Sequence, residues 1–253
     1  MRRPRPVNDL RFLLVQIRKD PDVLAPERAG FIELSGLAGR QVTTLDVYRQ
    51  PQFSPSILEE YDALMIGGLS DDPSDSLQLP RERFPFLENL QMLIRQAVHL
   101  KKPSLLSCGG FMIASEILGA SVVIDPAREE LGVYTITLTE GSRRDPLFIG
   151  FPRSFKAVSG HIKSTLTTPP GCTLLASSER CPVHAFTVEG APFYAFQFHP
   201  EIRCEQLQAR VERYREKYFK TEAEYRRFIA LMDDTSVANS IIRRFVELVG
   251  VLT

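Results

Sequence analysis

The chain has 253 residues, 31 Lys+Arg against 31 Asp+Glu, and 43% hydrophobic residues. That length is enough for one sizeable α/β domain with its own core. The zero formal charge argues against a nucleic-acid footprint or an electrostatic membrane anchor, and no apolar run reaches transmembrane length.

The prefix Met1-Arg2-Arg3-Pro4-Arg5-Pro6 is basic with no apolar stretch after it, so residues 1–10 read as a flexible, solvated tail. Arg11 to Ile17, Gln41 to Val47 and Tyr61 to Ile66 are short runs rich in β-branched or aliphatic residues, separated by loop or helix-compatible segments. Asp71 to Arg83 has the polar, turn-forming composition of a surface loop that could also cover a site. In Phe84 to Leu100 the spacing of Phe84, Leu87, Leu90, Leu93, Ile94, Ala97 and Val98 predicts an amphipathic helix. Pro103 to Ser107 is the next strand. It runs into Cys108, then Gly109 and Gly110, and Phe111 to Leu118 reads as a helix. A strand, a sharp glycine-relieved turn and a helix make up the layout of a nucleophile elbow. A thiol near a helix N-terminus and a histidine should ionise more easily.

From Ser121 the pattern changes. Ser121 to Ile124, Val133 to Thr139, Phe155 to Ser159, Thr173 to Ala176, Val183 to Val188 and Phe193 to Phe198 are strand-like with little helix between them. They predict an antiparallel or mixed extension of a sheet begun by strand–helix–strand units. The last of these runs leads into Gln197-Phe198-His199-Pro200-Glu201. Residues two apart on an extended segment share a face, so Glu201 can orient the His199 imidazole while Pro200 stiffens the backbone between them. Beyond Cys204 the pattern is helical. Thr221-Glu222-Ala223-Glu224 matches a capping box ahead of Tyr225 to Met232, and Val237, Ile241, Phe245, Leu248 and Val249 mark one face of a final helix that Gly250 would stop. These helices could pack on the same domain or on a second protomer as a homodimer. Cys108, Cys172, Cys181 and Cys204 show neither C-x-x-C pairing nor zinc spacing, which points to a reducing cytoplasm and to no metal.

A lone Cys after an apolar run is more often core than catalytic. Cys108 followed far downstream by His199 and Glu201 is much more specific, and here the chain resembles the class I glutamine amidotransferases. The resemblance extends to Tyr61-Asp62-Ala63-Leu64-Met65-Ile66-Gly67-Gly68, Glu130-Leu131-Gly132, Asp145-Pro146-Leu147-Phe148, Ala176-Ser177-Ser178 and Ala238-Asn239-Ser240. It implies an α/β fold: a three-layer flavodoxin-like sandwich with a mostly parallel central sheet, an antiparallel extension and C-terminal helices. Residues 11–203 would form the amidotransferase-like domain, with 204–253 packed on it.

The same resemblance implies a triad of Cys108, His199 and Glu201. Gly109 and Gly68 would supply oxyanion donors, and Ser70, Met112, Gly160 and Ile162 would lie at the substrate, a glutamine or another γ-glutamyl small molecule. His161 would be structural. Two positions depart from the family: Leu106 replaces a Gly two before the nucleophile, and Met112 replaces a Gln four after it. Met112, one helical turn beyond Cys108, is expected to face the same pocket and to weaken glutamine binding. No cofactor is expected. An amination step would need a separate synthetase subunit, because no phosphate-binding loop is visible. A γ-glutamyl hydrolase and a catalytically silent binding subunit are the alternatives.

Overall fold

The computed structural model describes residues 5–253 apart from 70–75, 78 and 214. Its elements in chain order are β1 (Phe12–Gln16), α1 (Pro21–Ser35), β2 (Val42–Asp46), β3 (Ala63–Ile66), α2 (Leu87–His99), β4 (Ser104–Ser107), α3 (Gly109–Ile117), β5 (Val122–Ile124), β6 (Glu130–Leu138), β7 (Ser154–His161), β8 (Lys163–Thr165), β9 (Cys172–Ser177), β10 (Ala185–Val188), β11 (Phe193–Phe196), α4 (Cys204–Arg213), α5 (Arg215–Tyr218), α6 (Glu222–Ala230) and α7 (Ser236–Leu252). One sheet has the order β2-β1-β3-β4-β11-β10-β9-β6-β7. Its first five strands are parallel, and the rest pair antiparallel. β5 and β8 form a separate antiparallel pair.

The layering follows from side-chain alternation. Phe12 and Leu14 of β1 enter the core that contains Phe31 of α1 and Ile241, Phe245 and Val249 of α7. Leu13 and Val15 enter the opposite core, with Leu90 and Ile94 of α2 and Phe111 of α3. A strand covered on both faces carries apolar residues at every position, which is why β1 reads as a continuous run. A third cluster joins Leu207 and Val211 of α4 and Phe228 of α6 to Val133 of β6 and Val158 of β7, so these C-terminal helices cover the antiparallel extension.

Three local readings change. Helix α1, only helix-compatible by sequence, is capped by the Asp20 carboxylate, which accepts the Asp22 N–H, and it closes at Gly36 with φ 72°. Its Pro26 and weak apolar periodicity had hidden it. Gly250, expected to stop the last helix, lies inside α7. A Cβ there would stand 3.3 Å from Arg5 O, and the Arg5 N–H donates to Gly250 O at 3.1 Å, so this glycine admits the N-terminal segment and that segment caps a helix-end carbonyl. The expected tail of residues 1–10 is accordingly anchored from Arg5, and Leu10 is fully buried.

Candidate active site

Four neighbouring parallel strands deliver the site at their carboxyl ends: Arg18 follows β1, Gly67 and Gly68 follow β3, Cys108 follows β4, and His199 follows β11. The strand order doubles back at β1 and β3, and in open α/β sheets that is where a ligand crevice opens. Arg18, Leu69, Cys108, Gly160, Ile162 and His199 line a cleft of about 310 Å³ there.

Cys108 has φ 47° and ψ −100°, a left-handed backbone that a side chain adopts only under strain. Two ladder bonds impose it. The Cys108 N–H donates to Phe196 O at 2.8 Å, and the Gly110 N–H to Gly67 O at 3.2 Å, so the chain must turn between the end of β4 and the first turn of α3. A Cβ at Gly109 would strike the Leu69 backbone, and one at Gly110 would come within 3.2 Å of Leu106 Cβ. Leu106, at the position where the family has a glycine, is accommodated because Gly110 leaves it room. Cys108 itself is half-buried, with its Sγ 3.9 Å from Gly160 O.

His199 Nδ1 is 2.7 Å from Glu201 Oε1, and both side chains are buried. The backbone fixes this pair from two sides: the His199 N–H donates to Val158 O at 2.8 Å, and Asn239 Nδ2 of α7 donates to Pro200 O at 2.8 Å and Ile202 O at 2.9 Å. Thr235 Oγ1 in turn donates to Asn239 Oδ1 at 2.9 Å. Burial alone would lower the His199 pKa, but the charges of Glu201 and Cys108 outweigh it and raise it above the ordinary value. Glu201 moves the opposite way: burial would raise it, and His199 beside it holds it below the usual carboxylate range. The arrangement favours an imidazolium facing Cys108.

Two buried charges not singled out from the sequence belong to the same place. Arg18 Nε donates to Glu27 Oε1 at 2.9 Å, with the two side chains 7% and 4% exposed. Glu27, from α1, also accepts Gln16 Nε2 at 3.0 Å and the Gly68 N–H at 3.3 Å. The Gly68 N–H expected to serve as an oxyanion donor therefore points at a carboxylate. Burial would lower the Arg18 pKa, but Glu27, Cys108 and Glu201 hold it above its ordinary value. The available signal was an arginine directly after the apolar run of β1, where the strand ends at the crevice.

Gly160 and Ile162 line the cleft, whereas Ser70 lies outside the described residues. Met112, expected to face the Cys108 cleft, lines a smaller neighbouring cavity with Leu69, Leu77, Leu79, Ile113 and Val122. Met112 there is partly buried and packs against the apolar core on the α2 and α3 side of the sheet. His161 and His184 both meet Glu130 Oε2, at 3.3 and 2.8 Å, while Ser178 Oγ donates to Glu130 Oε1 at 2.6 Å. Burial would raise the Glu130 pKa, but these bonds hold it well below the carboxylate range. This network lies under the cleft wall and brings His161, His184 and Cys181 ligand atoms within 4.8 Å of one another. The Cys181 thiol donates to Val183 O at 3.4 Å, and burial pushes its pKa up to about 12.

Residues 35–214 match the family Glutamine amidotransferase class-I. The chain is 32% identical over 181 residues to the glutamine amidotransferase-like protein YfeJ of Salmonella typhimurium, covering 69% of this chain and 70% of that protein. It is 28% identical over 159 residues to gamma-glutamyl peptidase 3 of Arabidopsis thaliana, covering 62% of this chain and 61%, under two thirds, of that protein. A glutamine amidotransferase from Thermotoga maritima superposes with a TM-score of 0.74 at 20% identity, covering 95% of this chain and 98% of that one, which shows the shared fold. The family match over more than half of the residues, on this fold, establishes that the chain belongs to the class I glutamine amidotransferases.

Proposed function

We propose that this protein hydrolyses the side-chain amide of glutamine, or of a related γ-glutamyl compound, through Cys108, His199 and Glu201. The observation that carries this reading is the strained elbow at Cys108 opposite a buried histidine held at 2.7 Å by its carboxylate. The Cys108 thiolate attacks the amide carbon, forming a C–S bond as the carbonyl electron pair moves onto oxygen. His199, protonated and oriented by Glu201, gives its proton to the leaving nitrogen as the C–N bond breaks. Water then attacks the thioester, His199 takes its proton, and the C–S bond breaks to release the acid and restore the Cys108 thiolate beside protonated His199. The products are glutamate and ammonia, or glutamate and an amine.

A second reading, hydrolysis of γ-glutamyl amides with a bulky apolar amine, is favoured by the cleft itself. Beyond the polar end it is walled by Leu131, Val158, Ile162, Ile202, Leu207 and Val211, the last two from α4. Such a wall buries an apolar leaving group at roughly 25 cal/mol per Å², a gain that ammonia from free glutamine cannot draw on. The test is glutamate release from glutamine and from γ-glutamyl amides of increasing apolar size, with Cys108→Ala as the control. Release that climbs with apolar size selects the second reading, and release confined to glutamine selects the first. No release from any donor overturns both and leaves a silent binding subunit.

A further inference from the structure

We propose that the Arg18 guanidinium, and not the Gly68 N–H, completes the oxyanion hole opposite the Gly109 N–H. This rests on the Cys108 reaction proposed above and adds a catalytic residue to it.

A second oxyanion donor must have a hydrogen free to meet the charge that develops. The Gly68 N–H does not meet that requirement, because it is directed at Glu27 Oε1, 3.3 Å away. An oxygen gaining negative charge beside that carboxylate would be repelled unless a cation stood between them. Arg18 stands there. A Cβ built on Gly68 would collide with Arg18 Nη2 and would lie 3.1 Å from His199 Cε1, so the guanidinium tip, Gly68 and the imidazole share one corner of the cleft. Among the described residues, the guanidinium makes one hydrogen bond, from Nε to Glu27 Oε1. Arg18 lines the cleft together with Cys108 and His199, and its Nη2 lies beside Gly68 at that end of it.

The corner is also rigid. Glu27 is fixed by Gln16 Nε2 at 3.0 Å, and Gln16 Nε2 donates again to Leu24 O at 2.7 Å, so α1 clamps the end of β1. An oriented cation needs no rearrangement as the carbonyl oxygen charges, and that is what makes preorganised donors effective. In the step concerned, the S–C bond forms and the π pair settles on oxygen between Gly109 N–H and Arg18 Nη. When the C–N bond breaks, the pair returns to the carbonyl and Arg18 is unchanged.

The test compares Arg18→Ala and Arg18→Lys with wild type in two reactions of the same thiol. Thioester chemistry builds an oxyanion; alkylation by iodoacetamide does not. Glutamate release from the best donor should fall about a hundredfold to a thousandfold in Arg18→Ala. Iodoacetamide labelling of Cys108, compared at the alkaline plateau where the thiol is fully ionised in both proteins, should stay within about threefold of wild type, and tens of millimolar guanidinium should restore part of the release. Arg18→Lys should recover less than wild type, because an ammonium lacks the planar fork. If the lone Glu27 charge unfolds Arg18→Ala, the pair Arg18→Met with Glu27→Gln removes both charges and should show the same split between the two reactions. Equal losses in both reactions would place Arg18 on the thiolate and overturn the proposal. So would release within threefold of wild type in a folded variant. A wild type silent on every donor overturns the reaction itself, an outcome distinct from either.

Discussion

Cys108 concentrates the cost of the site in one residue. Its φ of 47° belongs to glycine, and holding a side chain there costs on the order of 1–3 kcal/mol. Cys108→Gly and Cys108→Ala should both abolish turnover, yet Cys108→Gly should be the more stable of the two by about 1 kcal/mol, read as a higher midpoint in urea. Equal midpoints would mean that the elbow is unstrained. His199→Ala should cost about a thousandfold or more in kcat/KM, and Glu201→Ala about a hundredfold less than that, because an orienting group contributes less than the acid and base it orients. At position 112 the tertiary structure changes the expectation. With Met112 among Leu69, Leu79 and Ile113, Met112→Gln should lower stability by about 1 kcal/mol and raise glutamine hydrolysis less than twofold. A fivefold rise would return Met112 to the substrate pocket.

At the level of elements, the last helix holds the His199–Glu201 pair although it contributes no group to it. Asn239 of α7 satisfies two carbonyls on the turn that contains Glu201. Asn239→Ala should leave both without that donor, costing on the order of 1–3 kcal/mol. It should also lower kcat more than it changes KM, because the carboxylate loses its orientation and the substrate wall is untouched. Helix α1 presses on the same turn: a Cβ at Gly30 would collide with Glu201 O. Gly30→Ala should therefore impair turnover as Asn239→Ala does, and retained activity in both would show that the turn is held by its own strand alone.

Over the whole molecule, acid should act through the network under the cleft. Burial lowers the His184 pKa below its ordinary 6.5 despite Glu130 beside it, so the unfolded chain takes up that proton before the folded one does. Stability from this group is full above about pH 6.5 and declines as pH falls through it. Glu130, itself held low, adds a second decline below its ordinary 4.5. His199 has the opposite sign: its raised pKa contributes stability at low pH that is lost in alkali. Thermal midpoints should drop steadily between pH 6.5 and 5, and His184→Gln, which keeps a donor for Glu130 and removes the titration, should flatten that slope. An unchanged slope would assign acid sensitivity elsewhere.

The order of β1 to β4, the amphipathic α2, the Thr221 capping box and the pairing of His199 with Glu201 were legible in the sequence because each depends on spacing within a few residues. The Cys108 elbow was legible for the same reason, since strand, thiol and glycines are contiguous. What the sequence could not decide depends on approach between distant segments. Arg18 becomes part of the site because β1 lies beside β3 in the sheet, and Glu27 because α1 folds back on that edge. Gly250 reads as a helix stop until Arg5 is seen to lie against it. Met112 reads as a residue of the Cys108 cleft until the fold sets it in the neighbouring cavity with Leu69, Leu79 and Ile113. Local periodicity determines which elements form and which face of each is apolar, whereas the contacts that charge, orient and wall the site arise only once the parallel strands have brought their carboxyl ends together.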